Sequence, residues 1–304
     1  MQQSWDSYCT LSIVHFMAFP ECMGGEGPIV ETLTKLAVDD FFGAVEVGWI
    51  KDPAVRREVR SIAEQSRLQL GFGAQSALLL GKLSLNDLDP EGRQKAVDQV
   101  KACIDEAAEL GCKRVAFLAG PDPGDERRDE ALDLLADSVL TLCRYARERG
   151  IALTLETFDR DIEKKSLVGP SDLAAAFAQR IRAEFPDFGL LYDLSHLPLL
   201  NETPLEALSQ LKDFLVHIHV GNCVKVPGQP AYGDQHPRFG YPNGENDVPE
   251  LVAFLRALLE IGYLRPGAEE RPWVGFEVKP QAGESSELIL ANTKRAWRQA
   301  WAQL

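Results

Sequence analysis

Four short apolar runs in the second half of the chain each end in a residue able to bind a metal ion or move a proton. Ile151 to Leu155 is followed by Glu156, Phe188 to Tyr192 by Asp193, Phe214 to Ile218 by His219, and Trp273 to Phe276 by Glu277. Short apolar runs bounded by breakers read as buried strands, and a carboxylate at the tip of one is costly to bury unless a cation meets it. Any one of these residues alone would be an ordinary polar residue at a loop edge. Four in register along alternating strands and helices point instead to convergence on one divalent ion. Oxygen and imidazole donors suit Mn²⁺, Mg²⁺, Co²⁺ or Zn²⁺, with Mn²⁺ the first expectation.

A carboxylate that binds a metal through one oxygen keeps the other free to move a proton. Glu156 and Glu277 come from strands five and eight, so they can flank a substrate from two sides. Two flanking carboxylates and a Lewis acid suit proton removal beside a sugar carbonyl: the metal stabilises the enediolate, one carboxylate takes the proton and the other returns it. The outcome is isomerisation or epimerisation of a ketose or keto-sugar. Beside a leaving group the same enediolate eliminates, with His236 or His196 as general acid. The protein would then be a dehydratase or β-eliminase on a keto-sugar, keto-glycoside or inosose. His196, three residues past Asp193, is placed to hydrogen-bond a substrate hydroxyl or to join a second metal. His217 is expected to face away from the ion and to be structural. Glu46 and His15, at the tips of strands two and one, are expected to line the pocket, with Trp49 as an apolar wall.

Such convergence needs strands whose C-terminal ends share one face, and the rest of the chain supplies them. Cys9 to Phe16, Ala44 to Val47, Leu68 to Ala74 and Arg114 to Ala119 read as strands one to four. Between them, Pro90 to Leu110 places Val97, Val100, Cys103, Ile104, Ala107 and Leu110 on one helical stripe that stops at Gly111. Further helices are read over 28–41, from Pro53, over Arg127 to Arg149, Ser171 to Glu184 with Ser171 as N-cap, Pro204 to Leu211, Pro249 to Ile261, and from about Ser285. Eight strand–helix units predict an α/β protein of the (β/α)₈ TIM-barrel class, with catalytic residues on the C-terminal strand ends. The chain is read as one barrel domain over 1–304, with a long Gly- and Pro-rich active-site loop at about 221–248. An open doubly wound sheet is disfavoured, because Gly24-Gly25-Glu26-Gly27 lacks the dinucleotide-binding glycine spacing.

Composition narrows the partners. A net charge of -14 over 304 residues argues against a nucleic-acid surface and an anionic membrane, both of which need clustered Lys and Arg. A small-molecule sugar substrate is compatible with it. The six cysteines (Cys9, Cys22, Cys103, Cys112, Cys143, Cys223) show no disulfide or metal-binding spacing and read as reduced thiols, from which a cytoplasmic location is expected. Neither a signal peptide nor an apolar run long enough to span a membrane is read from the sequence.

The L-E, D-x-x-H, H-x-H and F-E strand ends, in this order, resemble the xylose isomerase-like TIM-barrel superfamily, which includes sugar phosphate isomerases and epimerases, ketose 3-epimerases, hydroxypyruvate isomerase, inosose dehydratase and endonuclease IV. The resemblance spans most of the chain. The ketose 3-epimerase pattern implies Glu156, Asp193, His219 and Glu277 as metal ligands, Glu156 and Glu277 as the acid/base pair, and His196 as a substrate-binding histidine. The pattern's substrate-clamping arginine, six residues past the metal histidine, is Lys225 here, which is not equivalent at a bidentate site. Where that pattern has a substrate-binding glutamate, this chain has the charged run Asp159-Arg160-Asp161-Ile162-Glu163-Lys164-Lys165. Gly233 to Gly240 (GDQHPRFG) resembles the D-x-H element of endonuclease IV, which implies a second metal at His196, Asp234 and His236; otherwise His236 and Arg238 belong to a loop covering the substrate. Gln75 and Gly120 stand where endonuclease IV carries histidines, which weighs with the charge against DNA repair. The resemblance also implies a homo-oligomer, since barrels of this family often pair. A non-catalytic sugar-binding barrel would show a damaged ligand set, and this one is complete. A phosphorylated substrate would find no Gly-rich cradle and few cations beyond Lys225, Arg238 and Lys279.

Overall fold

Strands β1 (Thr10–Val14), β2 (Ala44–Val47), β3 (Gln69–Gly73), β4 (Arg114–Leu118), β5 (Ala152–Glu156), β6 (Gly189–Asp193), β7 (Leu215–Val220) and β8 (Trp273–Phe276) form a closed parallel barrel in chain order. The computed structural model describes residues 3–304. Parallel neighbours need a crossover, and helices supply each one. β8 returns to β1 through Thr10↔Trp273 to Ile13↔Phe276, which closes the ring.

The strands alternate in chemistry as well as direction. Ile13, Val45, Phe117, Leu155, Tyr192, Ile218 and Phe276 point outward into the main apolar core under the helices. The residues between them, Ser12, Glu46, Thr154, Glu156, Asp193, His217 and His219, are buried and polar and face the barrel axis. The barrel is therefore apolar outside its sheet and polar within, which confines charge to one column.

The helices begin and end where local chemistry dictates. Asp52 and Asp89 accept hydrogen bonds from Ala54 N (2.7 Å) and Gly92 N (3.0 Å), each just ahead of a proline in the first turn. Gly111, at φ +82°, takes the left-handed position that ends Pro90–Leu110. Ser171 is not the N-cap expected of it. Pro170 holds that place, and Glu202 caps instead, accepting from Ser171 N at 2.8 Å and Ser171 Oγ at 2.7 Å. Strand one ends at Val14 because the chain turns at once into the helix His15–Ala18. Short helices Gln75–Gly81 and His196–Leu200 were likewise not anticipated.

All six cysteines are free and buried, and burial pushes the Cys9, Cys103 and Cys112 thiols up to about 12. Among the described residues no helix is long and apolar enough to cross a membrane.

After β7 the chain runs through an extended loop to the helix Val248–Glu260. Two buried asparagines fasten it to the barrel. Asn246 Nδ2 donates to Leu194 O (3.2 Å) and Gly221 O (3.0 Å), and Asn246 N donates to Asn222 Oδ1 at 2.7 Å. Asn246→Ala strands two buried carbonyls, so it is expected to cost about 1–3 kcal/mol in urea unfolding and to hasten proteolysis within 221–247. Unchanged stability and protease resistance would show that the loop is held elsewhere.

Candidate active site

His219 sits at the centre of the polar column with a carboxylate on each ring nitrogen. Its Nε2 lies 2.8 Å from Glu46 Oε2. An ionised carboxylate only accepts, so Nε2 carries the proton. Nδ1 then lies 2.8 Å from Glu277 Oε2, 3.6 Å from Glu156 Oε1 and 4.0 Å from Asp193 Oδ2. β5, β6 and β7 deliver three of these residues at or near their C-terminal ends, and Glu277 follows β8 directly. The register pairs Asp193 with His219, so these two arrive on adjacent strands at one level.

Each of two carboxylates has one oxygen tied down and one free. Gln75 Nε2 donates to Glu156 Oε2 at 2.7 Å, and Ser195 N donates to Asp193 Oδ1 at 2.6 Å. The opposite oxygens, Glu156 Oε1 and Asp193 Oδ2, have no hydrogen-bond partner, and neither does His219 Nδ1. Glu156, Asp193 and His219 are all almost wholly buried. Lone pairs facing one another out of water require a positive charge between them, either a proton or a cation. The ligand atoms of Glu156, Asp193, His219 and Glu277 lie within 4.8 Å of one another. Three carboxylates and one imidazole fit a divalent cation by number, by hardness and by this unmet valence.

The pair of glutamates is electrostatically split. Burial, reinforced by the Glu277 charge, raises Glu156 above the ordinary carboxylate value despite the nearby His219 ring. Burial also acts upward on Glu277, but His236 and His219 outweigh it and hold Glu277 below that value. Burial favours neutral His219, yet the Glu46 charge, the close Glu156 and Glu277 carboxylates and the hydrogen bond to Glu46 carry it far above the usual imidazole range.

A second cluster adjoins the first. Asp234 Oδ1 lies 3.1 Å from His196 Nε2 and 2.9 Å from His236 Nε2, while Lys164 Nζ approaches Asp234 Oδ2 at 3.3 Å. His196 and Asp234 are misaligned for a hydrogen bond despite that distance and interact as paired charges. His196 Nδ1 donates to Thr157 O at 2.7 Å. Burial works against protonation of both rings, but the carboxylates prevail and raise His196 to about 10 and His236 to about 9. His236 has a left-handed backbone (φ +48°), held by Lys279 N donating to its carbonyl at 2.7 Å. Ligand atoms of Asp193, His196 and His236 also fall within 4.8 Å of one another.

A cavity of about 200 Å³ opens above these groups. Glu156, His219, Glu277, Lys164, Lys279 and Gln235 form its polar side, Phe16, Met17, Met23, Leu79 and Leu80 its apolar side, and Glu46 reaches it from below. A wider hollow of about 570 Å³, around Asp6 and Arg271 before β1 and β8, gathers no comparable buried groups.

The structure brings together Glu156, Asp193, His219 and Glu277, with His196, Asp234 and His236 behind them. Other expectations need correction. Lys225 does not face the cavity: its Nζ donates to Asn201 Oδ1 at 2.7 Å, beyond the rim. Arg238 also turns away, bonding Glu284 Oε1 at 3.0 Å and Gly240 O at 2.9 Å, so it ties the loop to itself and to the segment after β8. His196 is fully buried and outside the cavity lining. His15 packs behind the wall, 2.8 Å from Thr32 Oγ1, where burial lowers it to about 4; Trp49 does not line the cavity either. His217 faces inward, not away, 3.1 Å from Glu46 Oε1, because residues two apart on a strand share a face. Within the charged run, Asp159 is structural and accepts from the backbone of Ile162, Glu163 and Lys164, which aims Glu163 and Lys164 at the cavity. Gln75 and Gln235 were missed as site residues; the position of Gln75 just past strand three was the available signal.

A sequence profile described as xylose isomerase-like TIM barrel matches residues 37–297. No curated protein matches the chain by sequence. Among solved structures, D-psicose 3-epimerase from Clostridium cellulolyticum H10, with D-tagatose, is 18% identical at a TM-score of 0.66, covering 96% of this chain and 91% of that one. A D-tagatose 3-epimerase-like protein is 16% identical at a TM-score of 0.70, covering 97% and 99%. The 3-keto-D-glucoside 4-epimerase of E. coli is 15% identical at a TM-score of 0.65, covering 95% and 99%. At these identities the likeness carries the fold.

Because apo-His219 holds its proton above the ordinary imidazole range, a cation must displace that proton. Divalent-metal affinity is expected to rise with pH by about tenfold per unit for each proton displaced, until the raised value is passed. Calorimetry of loading in buffers of different ionisation enthalpy measures the release at neutral pH, and a heat independent of buffer would sink the idea.

Proposed function

We propose, from the premise that this chain belongs to the xylose isomerase-like TIM-barrel family, that it is a divalent-metal-dependent isomerase or epimerase of a ketose or keto-sugar. The observation that carries this is the pair Glu156 and Glu277, lining one cavity with His219 between them and shifted in opposite directions by their surroundings. The structural neighbours named 3-epimerases and 4-epimerase support the same reaction class.

A divalent ion held by Glu156, Asp193, His219 and Glu277 would supply Lewis acidity to a substrate carbonyl. The chain's own residues do the rest. Glu277, kept ionised by His236 and His219, is the base that takes the proton from carbon next to the carbonyl. Glu156, across His219 from Glu277, returns a proton from the other side, with Gln75 orienting its carboxylate through Oε2. Lys164, Lys279 and Gln235 offer donors to substrate hydroxyls. The apolar side, from Phe16 to Leu80, excludes water from the proton transfer.

One observation favours elimination as a second reading. His236 Nε2 stands 3.6 Å from Glu277 Oε1 and keeps its proton up to about 9, so a general acid adjoins the base. A second cation, held by His196 and His236 with Asp193 or Asp234, belongs to the same proposal, and metal stoichiometry by elemental analysis reads it.

Metal-loaded protein incubated in D₂O with ketoses, keto-glycosides and inososes, followed by NMR, separates the readings. Deuterium at carbon beside the carbonyl, without loss of water or aglycone, is the expected result; release of either establishes the eliminase. Protein that takes up no divalent metal rules out both. Glu156→Gln and Glu277→Gln are each expected to lower exchange by about 10²–10⁴-fold, and wild-type turnover in either removes that carboxylate from the chemistry. Lys279→Met is expected to raise KM while Lys225→Met leaves it unchanged; the reverse pattern would return the clamp to Lys225.

A further inference from the structure

Below the four ligand residues lies a buried network that the proposed reaction does not use. Glu46 Oε1 accepts from Ser12 Oγ at 2.6 Å and lies 3.1 Å from His217 Nε2, while Oε2 lies 2.8 Å from His219 Nε2. One carboxylate from β2 thus meets donors from β1 and β7 across the barrel interior. The backbone leaves room for it. A Cβ on Gly275, which pairs with His219 in the β7–β8 register, would lie 2.8 Å from both His219 Cδ2 and Ser12 Oγ, and closer still to Glu46 Oε1. A Cβ on Gly71, paired with Glu46 itself, would lie 3.2 Å from Glu46 Cγ.

We propose that Glu46 is the positioning residue that makes His219 a metal ligand. By accepting the Nε2–H it fixes one tautomer and one ring plane, which leaves the Nδ1 lone pair directed at Glu156, Asp193 and Glu277. Ser12 and His217 hold the carboxylate so that it cannot swing away. A ligand imidazole steadied by a carboxylate on its far nitrogen binds its ion more tightly, and loss of such a partner typically costs 10–100-fold in affinity. The inference rests on the four-ligand reading of the site and adds to it a residue outside that set.

The test is Zn²⁺ affinity, by competition with a chromophoric chelator, together with NMR of ¹⁵N-histidine-labelled, Zn²⁺-loaded protein. Glu46→Ala is expected to weaken Zn²⁺ binding by about 10–100-fold and to speed exchange of the His219 Nε2 proton with water. Glu46→Gln, which keeps shape and one acceptor oxygen, is expected to lose less. Should Glu46→Ala fail to fold, Glu46→Gln must still bind Zn²⁺ several-fold more weakly than wild type. A merely structural role would lower Tm and leave Zn²⁺ affinity and the Nε2 proton unchanged, which overturns the inference. A zinc-bound Nε2 with the proton on Nδ1 would make Glu46 a ligand in its own right and overturns it too. Wild-type protein that binds no Zn²⁺ removes the four-ligand reading and this inference together, whereas Glu46 variants of wild-type affinity remove this inference alone.

Discussion

Burial of an imidazole between carboxylates on both of its nitrogens is the constraint on which the rest of the site depends. Glu46 engages one edge of His219, and Glu277, Glu156 and Asp193 crowd the other. So much negative charge out of water is tolerable only if it is neutralised on the spot. Every neighbouring arrangement serves that end: Gln75 on Glu156, the Ser195 backbone on Asp193, His196, His236 and Lys164 around Asp234. A chain with net charge -14 has placed four of its five histidines within this single column and its flank.

The fold makes this tolerable by separating two environments across one sheet. Outward residues meet helices and form the apolar core, while inward residues meet only one another. Stability and chemistry therefore draw on alternate positions of the same strands. The loop after β7 completes the arrangement, since it brings Asp234 and His236 over residues that the strands alone leave open.

The barrel was legible because its signals are local: apolar strands, capped helices, Gly111 and the prolines at helix starts each act within a few residues. The convergence of Glu156, Asp193, His219 and Glu277 was legible for a related reason, because residues at a strand's C-terminal end have a fixed place on the ring. What lay beyond the sequence depends on the path of loops. Lys225 follows His219 closely in sequence, yet the chain beyond Val220 turns it toward Asn201, and Lys279 lines the cavity instead. Capping of Ser171 by Glu202 could not be read, because the partner is 31 residues away. His217 is a different matter: it was expected to face away, although residues two apart on a strand share a face, so the error lay in the reading and not in any missing signal.

The span of the His219 contact bears on how the protein comes into being. Glu46 and His219 are 173 residues apart, and β1 must meet β8 before the polar column is enclosed. Contacts of such separation form late, because the entropy of closing the chain must be met before they stabilise anything. A nascent or partly unfolded chain therefore holds its acidic side chains in water, where they are harmless and repel neighbours. Closure of the ring therefore brings the site together, and a chain whose ring is open holds no assembled column.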